Sequence, residues 1–445
     1  EISFRFVSYF GRINYAYKDK YLLEVSLRSD GSSRFGPENR WATFPGMSVG
    51  WVISDESFLS NSSFVTFLKL RASYGRTGNA EIGNFSWQKN FTFVGYNAAI
   101  YGGIQGGQFT NPGNSALTWE STKQFDAGIE FTLWNKRISG TLDYYNKDSE
   151  GLLLDYALGP LFGTINNSMT INLGSVRNRG IEFSLTTRNI TKKDFRWTTD
   201  FNISHNKNTV LSTYTAPFLN FPFQVIAGPS IATPGYPLGN YYMAQFAGFD
   251  PNTGNELFYE RDRVVFNNTG QTVKTGALWD GTIANNAGNN QFILENRTPY
   301  PVLFGGLTNS FQFHKIDFNF LFYYQYGNWI YDQAQRAQSY PTTGQVLRAE
   351  SQGIGSLRDE LNKTEGAFRM QWNSNARSFE SSRFLHDGSF IRLKNVQLGY
   401  TLPASVAKKL RLRTARISLT GQNLLTFTKF TGWDPEVFRN GGADG

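Results

Sequence analysis

The sequence repeats a two-residue alternation of apolar and polar side chains along many stretches. In one of the clearest, residues 124–133, Phe125, Ile129 and Phe131 fall on one face while Asp126 and Glu130 fall on the other. Because successive side chains of a strand point to opposite faces, this period predicts β-strands that are apolar on one side. No run of the sequence approaches the ~18 consecutive apolar residues that a membrane-spanning helix needs. If the chain crosses a bilayer, it therefore crosses with strands.

The alternating stretches number about twelve, and the connections between them are unequal in length. The predicted strands are residues 7–17, 21–28, 42–53, 67–75, 124–134, 137–146, 174–188, 195–207, 302–313, 316–326, 385–402 and 414–425. Short polar turns at 18–20, 135–136, 192–193 and 314–315 alternate with long connections at 29–42, 76–119, 149–173, 208–301 and 327–383. Short periplasmic turns and long extracellular loops are typical of outer-membrane barrels, so the prediction is an all-β, transmembrane antiparallel β-barrel.

A soluble β-sandwich also alternates, with its apolar face turned toward a core instead of lipid. The unequal connections and the aromatic residues at strand ends favour the barrel, because aromatic girdles lie at the membrane interfaces. These aromatic residues are Tyr15, Tyr17, Tyr21, Trp51, Trp134, Tyr144, Tyr145, Trp197, Tyr323 and Tyr326.

The charged residues of the alternating stretches fall on one face each time, and we expect that face to line a water-filled lumen. They are Lys69, Arg71, Asp126, Glu130, Glu182, Asp200, Asp317, Arg392, Lys394 and Arg416. A charge on the lipid side near the midplane would cost roughly 2–4 kcal/mol. The net charge of +8 is scattered without a basic run of five residues, so it predicts solvated loops and lumen and no nucleic-acid partner.

Several candidates for chemistry are weak, and the sequence predicts neither an enzyme nor a bound cofactor. Zero cysteines exclude disulfides, thiolate nucleophiles and cysteine metal sites. The histidines, His205, His314 and His386, fall in unrelated segments. Carboxylates of the charged face, with Asp143, could form acid–base pairs, but pairing with lumen cations is the stronger expectation.

Two loop segments resemble ligand-binding motifs only in part. The pattern Asp250-x-Asn252-x-Gly254-x-Glu256 echoes a calcium loop but lacks the full series of oxygen ligands, so we predict a turn there. The glycines at 102–103 and 106–107 lack the strand–glycine–helix context of a phosphate-binding loop.

Loop aromatic residues are the candidate substrate contacts, because amphipathic rings bind sugars and peptides without charge. They are Trp87, Tyr96, Tyr101, Trp119 and Trp279. The alternative is that these rings pack the loops or meet a partner that covers them.

Several motifs in order and spacing carry a family resemblance over nearly the whole chain. They are Arg40–Pro45 with Val49–Ser54, Leu68–Gly75 with Thr77–Asn79, Asn178–Phe183, Asp250–Gly254, Ser382–Val396, Leu398–Pro403, Gly421–Leu424 and Gly432–Glu436. The chain resembles the SusC/RagA family of TonB-linked outer-membrane proteins, and the motifs from Ser382 onward are the most specific.

The resemblance implies a 22-stranded barrel that holds an N-terminal plug. It implies active import of oligosaccharides or peptides across a Gram-negative outer membrane, with TonB and a SusD-like surface lipoprotein as partners and lipid and lipopolysaccharide around the barrel. A dimeric SusC2D2-type assembly or a larger complex is a further expectation. By this resemblance residues 1–445 are the C-terminal barrel portion, approximately strands 10 to 21, without plug, TonB box and final strand. The alternative function is a non-transporting structural subunit of an outer-membrane complex.

Overall fold

The computed structural model describes residues 4–93, 100–101, 104–105, 107–157, 168–213, 224–250, 256–279, 290–339 and 380–436. Its main feature is a twelve-stranded antiparallel sheet. The strands lie in the sheet in the order in which they occur in the sequence. The strands are β1 (Phe6–Tyr17), β2 (Tyr21–Ser32), β3 (Trp41–Val52), β4 (Val65–Asn79), β5 (Glu120–Leu133), β6 (Ile138–Glu150), β7 (Ser175–Thr191), β8 (Phe195–Ser212), β9 (Leu303–Phe313), β10 (Ile316–Tyr326), β11 (Phe390–Thr401) and β12 (Arg416–Thr428). The predicted fold class and the twelve strands are confirmed.

The chain divides into two compact units, residues 1–189 with 207–214 and residues 190–206 with 215–445. In the first unit, the long connections between strands of the large sheet contain short strand pairs. These are Asn90–Phe93 with Gly107–Asn111, Ile100–Tyr101 with Ile104–Gln105, and Leu153–Ala157 with Ser168–Asn172. We call the end of the sheet that carries these long connections the loop side. A small apolar core of Phe35, Phe44, Ile82, Leu117 and Trp119 lies among these loops. A 3-10 turn at Ile53–Asp55 follows β3.

In the second unit, the loops contain two small sheets and a two-stranded pair. The strands of the first sheet are Val225–Ala227, Ser230–Ala232, Asn240–Ala244 and Gln291–Ile293; those of the second are Phe246–Phe249, Glu256–Arg261 and Lys274–Trp279; and Trp329–Tyr331 pairs with Leu385–Asp387. Among the described residues of this unit, the helices are α1 (Arg263–Thr269), α2 (Gln333–Ser339) and α3 (Ala404–Lys409), and a 3-10 turn covers Ser382–Phe384. No described helix is long and apolar enough to span a bilayer.

The short turns use residues with positive φ, as tight hairpins require. The predicted turns at 18–20 and 314–315 are confirmed, with φ of 53° at Lys18 and 50° at His314. The predicted two-residue turn at 135–136 is wrong, because β5 ends at Leu133 and β6 begins at Ile138. Three consecutive positive φ angles, at residues 134–136, form a four-residue turn in which the Arg137 amide donates to the carbonyl of Leu133.

Several strands continue farther on the loop side than predicted. β2 reaches Ser32 and β8 reaches Ser212, whereas the alternation ends near residues 28 and 207. The predicted run 385–402 is also divided, because Asp387 accepts hydrogen bonds from the backbone and hydroxyl of Ser389 and turns the chain before β11. In a barrel, strand ends that extend beyond the bilayer meet water on both faces, so their sequence need not alternate.

Candidate functional site

The charged face of the first unit has an ion-pair cluster at its centre. Arg71 on β4 contacts Glu130 on β5 at 3.0 Å and Asp143 on β6 at 2.6 Å. Arg71, Gly128 and Asp143 lie directly opposite one another on three adjacent strands. The Arg71–Asp143 pair therefore passes over the intervening strand at a glycine. A Cβ at Gly128 would lie 2.1 Å from Asp143 Oδ1, so the absent side chain makes room for the pair.

The second unit contains a similar arrangement, in which the ion pair runs diagonally because Arg416 lies opposite Thr401, two residues from Gly399. Arg416 on β12 pairs with Asp317 on β10, with its Nε 3.2 Å from Asp317 Oδ1. Gly399 lies on the strand between them, directly opposite Asp317. A Cβ at Gly399 would lie 2.4 Å from Arg416 Nη2 and 2.6 Å from the carboxylate. We call these two arrangements the glycine-spanned ion pairs. Cross-strand ion pairs of this kind neutralise charge along a face that is open to water.

Other predicted charged residues lie on the same twelve-stranded sheet. Asp126 accepts hydrogen bonds from Gln124 at 2.7 Å and Ser73 at 3.5 Å. Lys69 lies directly opposite Glu130. Glu182 and Asp200 lie directly opposite Asp143 and Thr308, respectively. Nearer the loops, Arg177 holds Asp148 through two 2.7 Å hydrogen bonds, and Lys123 pairs with Glu150 at 2.8 Å.

Arg392 and Lys394 have partners that the strand pattern did not predict. Arg392 is buried and contacts Asp434 and Glu436, each at 2.5 Å, and Lys394 also pairs with Glu436. Both carboxylates belong to the segment after β12, which folds back toward β11. The hydrogen bond from Arg392 lowers the pKa of Asp434 below its usual range. The sequence contained one signal for these pairs. The Gly432–Glu436 motif carries two carboxylates and belongs to the same group of C-terminal motifs as the two cations.

The described loop aromatics lie inside small cores. Trp119 stacks on Phe35 with 5.2 Å between ring centroids, and its indole N–H donates to the carbonyl of Arg40 at 3.2 Å. Trp87 is half-buried and packs against the same core. Trp279 is buried against Phe258. The side chains of the remaining two candidates, at positions 96 and 101, lie outside the described residues. Substrate contact by these five residues stays a prediction.

The remaining candidates for chemistry occupy separate places. Glu256, the last residue of the calcium-like pattern, is buried and pairs with Arg383. Residues 251–255 of that pattern, and the glycines at 102, 103 and 106, lie outside the described residues. Within the described residues, no group of three or more His, Asp or Glu side chains is arranged to hold a metal ion.

The histidines also lie apart, as the sequence predicted. His205 Nδ1 lies 2.7 Å from the carbonyl of Val302. His314 occupies its hairpin turn, 3.6 Å from Asp194. His386 Nε2 contacts Gln335 at 2.5 Å. Each ring thus has its own contact with another segment of the chain, and the three contacts are separate.

Comparison with known proteins places this chain among outer-membrane receptors. A family model described as TonB dependent receptor-like, beta-barrel matches residues 2–299. TonB-dependent receptor P3 of Formosa agariphila is 33% identical over 98% of this chain and 42% of its own length. TonB-dependent receptor SusC of Bacteroides thetaiotaomicron is 30% identical over 97% of this chain and 41% of its own length.

Solved structures agree with these sequence matches. The RagAB peptide importer in the closed-closed state superposes with a TM-score of 0.80 and 27% identity, over 97% of this chain and 45% of that chain. Its open-open state gives a TM-score of 0.77 and 26% identity. The chain thus spans about two-fifths of the length of the curated relatives described above.

Proposed function

Because this chain belongs to the TonB-dependent receptor β-barrel family, of the SusC/RagA type, we propose that it forms part of the wall of an importer for oligosaccharides or peptides. The family places it in the outer membrane of a Gram-negative bacterium. The observation that carries the proposal is similarity over 97–98% of the chain to TonB-dependent receptors, combined with a RagAB superposition that covers 97% of it. The proposed role is transport, without chemical change of the cargo.

In this proposal the charged face lines the lumen and the apolar face meets lipid. The glycine-spanned ion pairs support it, because a face open to water can carry paired guanidinium and carboxylate groups at little cost. The same pairs would be expensive in hydrocarbon. Of the candidate contact residues, the buried Trp119 and Trp279 are proposed to hold the loops in shape, which leaves the exposed loop surface for cargo and partner.

The proposed partners are TonB, which would supply energy through a plug, and a SusD-like lipoprotein that would cover the loop side. A two-component assembly is supported by the likeness to RagAB, a peptide importer described in open-open and closed-closed states. Co-purification from native membranes followed by mass spectrometry tests the lipoprotein. We expect a stoichiometric SusD-like lipoprotein, and its consistent absence would refute this part of the proposal.

Uptake in the native host tests the transport function. The strain that lacks the gene should lose growth on one class of nutrient, in separate cultures on pooled oligosaccharides and pooled peptides. The intact gene should restore growth, whereas a version uncoupled from TonB should not, although both barrels are present in the membrane. Equal restoration by both versions would favour the alternative, a structural subunit that transports nothing.

A further inference from the structure

A pocket of about 760 Å³ opens among the loops of the second unit. Its walls come from residues 233, 234 and 236, residues 269–274 and residues 292–295, together with Gln224, Gln245 and Arg297. Hydrogen bonds hold these walls together: Gln224 Nε2 donates to the carbonyl of Gly270 at 3.1 Å, and the Ile293 amide donates to Thr272 Oγ1 at 3.2 Å. The volume lies within the usual range for sites that bind small ligands.

Arg297 is a cation in this pocket, and no carboxylate of a described residue forms an ion pair with it. Its guanidinium lies over the indole of Trp329, 4.5 Å from the ring centroid. Burial lowers the pKa of Arg297 from its ordinary value, because it removes water from around the guanidinium. A guanidinium that stacks on a ring still has N–H donors at its edge, and these bind a carboxylate in forked geometry.

A second cation and one anion share the pocket. The Lys274 ammonium lies 3.6 Å from the centre of the Tyr259 ring. Glu295 is exposed and only two positions from Arg297, yet no ion pair joins it to either cation in the described part of the chain. Opposite charges that remain apart in one pocket suit a ligand that carries both.

Uncharged polar groups complete the lining. The carboxamides of Gln245 and Gln271 make no hydrogen bond to another described residue. A carboxamide donates and accepts, as a peptide group does, so these side chains match the main chain of a peptide. A fully extended tripeptide spans about 10 Å, short enough for a pocket of this volume.

We propose that this pocket binds short peptides with free termini, with the terminal carboxylate toward Arg297 and Lys274 and the terminal ammonium toward Glu295. An acidic oligosaccharide would pair with the cations but offer no cation to Glu295, and a neutral one would offer no charge to any of the three groups. The inference rests on the proposed import function and selects peptides from its two substrate classes.

The test is isothermal titration of the full-length transporter complex in detergent with Ala-Ala-Ala, its C-terminal amide, its N-acetyl form and tetragalacturonate. Amidation should weaken binding to the wild type about tenfold, because it removes a charge-assisted hydrogen bond. The same amidation should have a smaller effect on Arg297→Gln, since one of the two cations that face the carboxylate is already absent. Acetylation should likewise weaken binding to the wild type but have little effect on Glu295→Gln. A merely structural role of either residue would not couple to a single end of the ligand.

Two controls test whether a change in affinity comes from loss of a cation elsewhere or from loss of the folded barrel. Lys193→Gln removes an exposed cation from a short turn and should bind like the wild type. Heat-dependent gel mobility checks that every variant contains a folded barrel. Equal affinity of the wild type for free acid and amide, or binding of tetragalacturonate with no binding of the tripeptide, would overturn the inference. TonB-dependent uptake of another nutrient by the same protein would then leave the proposed function standing.

Discussion

Two strands of the second unit differ in the exposure of their apolar side chains. In β11, Ile391 and Leu398 are 49% and 48% exposed although both lie within the large sheet. In the loop strand Asn240–Ala244, Tyr242 and Met243 are 2% and 0% exposed. The sheet therefore presents apolar side chains outward, as a lipid-facing wall does, whereas the loops bury theirs as a small soluble protein does. We therefore expect a substitution in the loop core to affect the loops alone. A substitution on the apolar face of the sheet should affect assembly of the barrel in the membrane.

The largest expected effect comes from the loop core. Phe258 is fully buried against Phe246 and Trp279. Phe258→Ala should destabilise the loop sheets by about 3–5 kcal/mol, the usual cost of removing a buried phenylalanine ring. Hydrogen exchange and limited proteolysis should show loss of protection in residues 240–293, while heat-dependent gel mobility stays normal. The matched control, Phe58→Ala, truncates a ring that is 69% exposed and should change neither readout. Failure of the barrel itself to assemble would mean that loops and sheet are not separable.

The next effect tests the sheet. Phe320→Arg places a charge on the apolar face of β10 and should cost roughly 2–4 kcal/mol in lipid. Asn319→Arg places the same group on the face that contains Asp317 and should cost much less. The measurement is the fraction of protein that reaches the heat-modifiable form in membranes. Equal loss in both variants would show that the face assignment is wrong.

A smaller effect is expected at the glycine-spanned ion pairs. Gly128→Ala or Gly399→Ala puts a methyl group where the ion pair passes, and overpacking of this kind typically costs about 1–3 kcal/mol. The unfolding midpoint in denaturant should fall for both. Gly11→Ala is the control, because no atom lies within 4 Å of its Cβ position. Equal midpoints for all three variants would show that the glycines are not needed by the pairs.

The smallest effect is confined to the segment after β12. Asp434 has a lowered folded-state pKa, so its contact with Arg392 contributes fully above the ordinary aspartate value of about 4 and is lost as the pH falls through the lowered value. Hydrogen exchange of residues 429–436, corrected for intrinsic rates, should rise below about pH 4. Asp434→Asn should show the faster exchange already at pH 7. Identical pH profiles for the two proteins would contradict the assignment.

The sequence predicts the sheet better than the loops, for a physical reason. Inside the membrane each side chain meets either lipid or water, so alternation marks residues such as Phe131 and Thr132 without knowledge of the fold. Cross-strand pairing of Arg71 with carboxylates follows from the same pattern, whereas the role of Gly128 needs the register of three strands. The fold-back of Asp434 onto Arg392 has no periodic signal.

The role of the loop aromatic residues is the hardest feature to predict from the sequence. Trp119 and an exposed substrate-binding tryptophan look alike in a sequence, because both lie in long connections rich in glycine and asparagine. The burial of Trp119 depends on Phe35 and Phe44, which come from two earlier segments of the chain. Contacts between residues far apart in the sequence therefore form the core of the loops. Neither hydrophobic periodicity nor a short motif predicts such contacts.

We propose that the charged face of the sheet meets water and that its apolar face meets lipid. These 445 residues contain no cysteine, so single cysteines can be placed at Phe131, Thr132, Asn319 and Phe320 in a transporter with any other cysteines replaced, and treated in liposomes with a charged maleimide. We expect labelling at positions 132 and 319, and protection at 131 and 320 until the protein is denatured. Labelling of all four positions alike, or the reverse pattern, would contradict it.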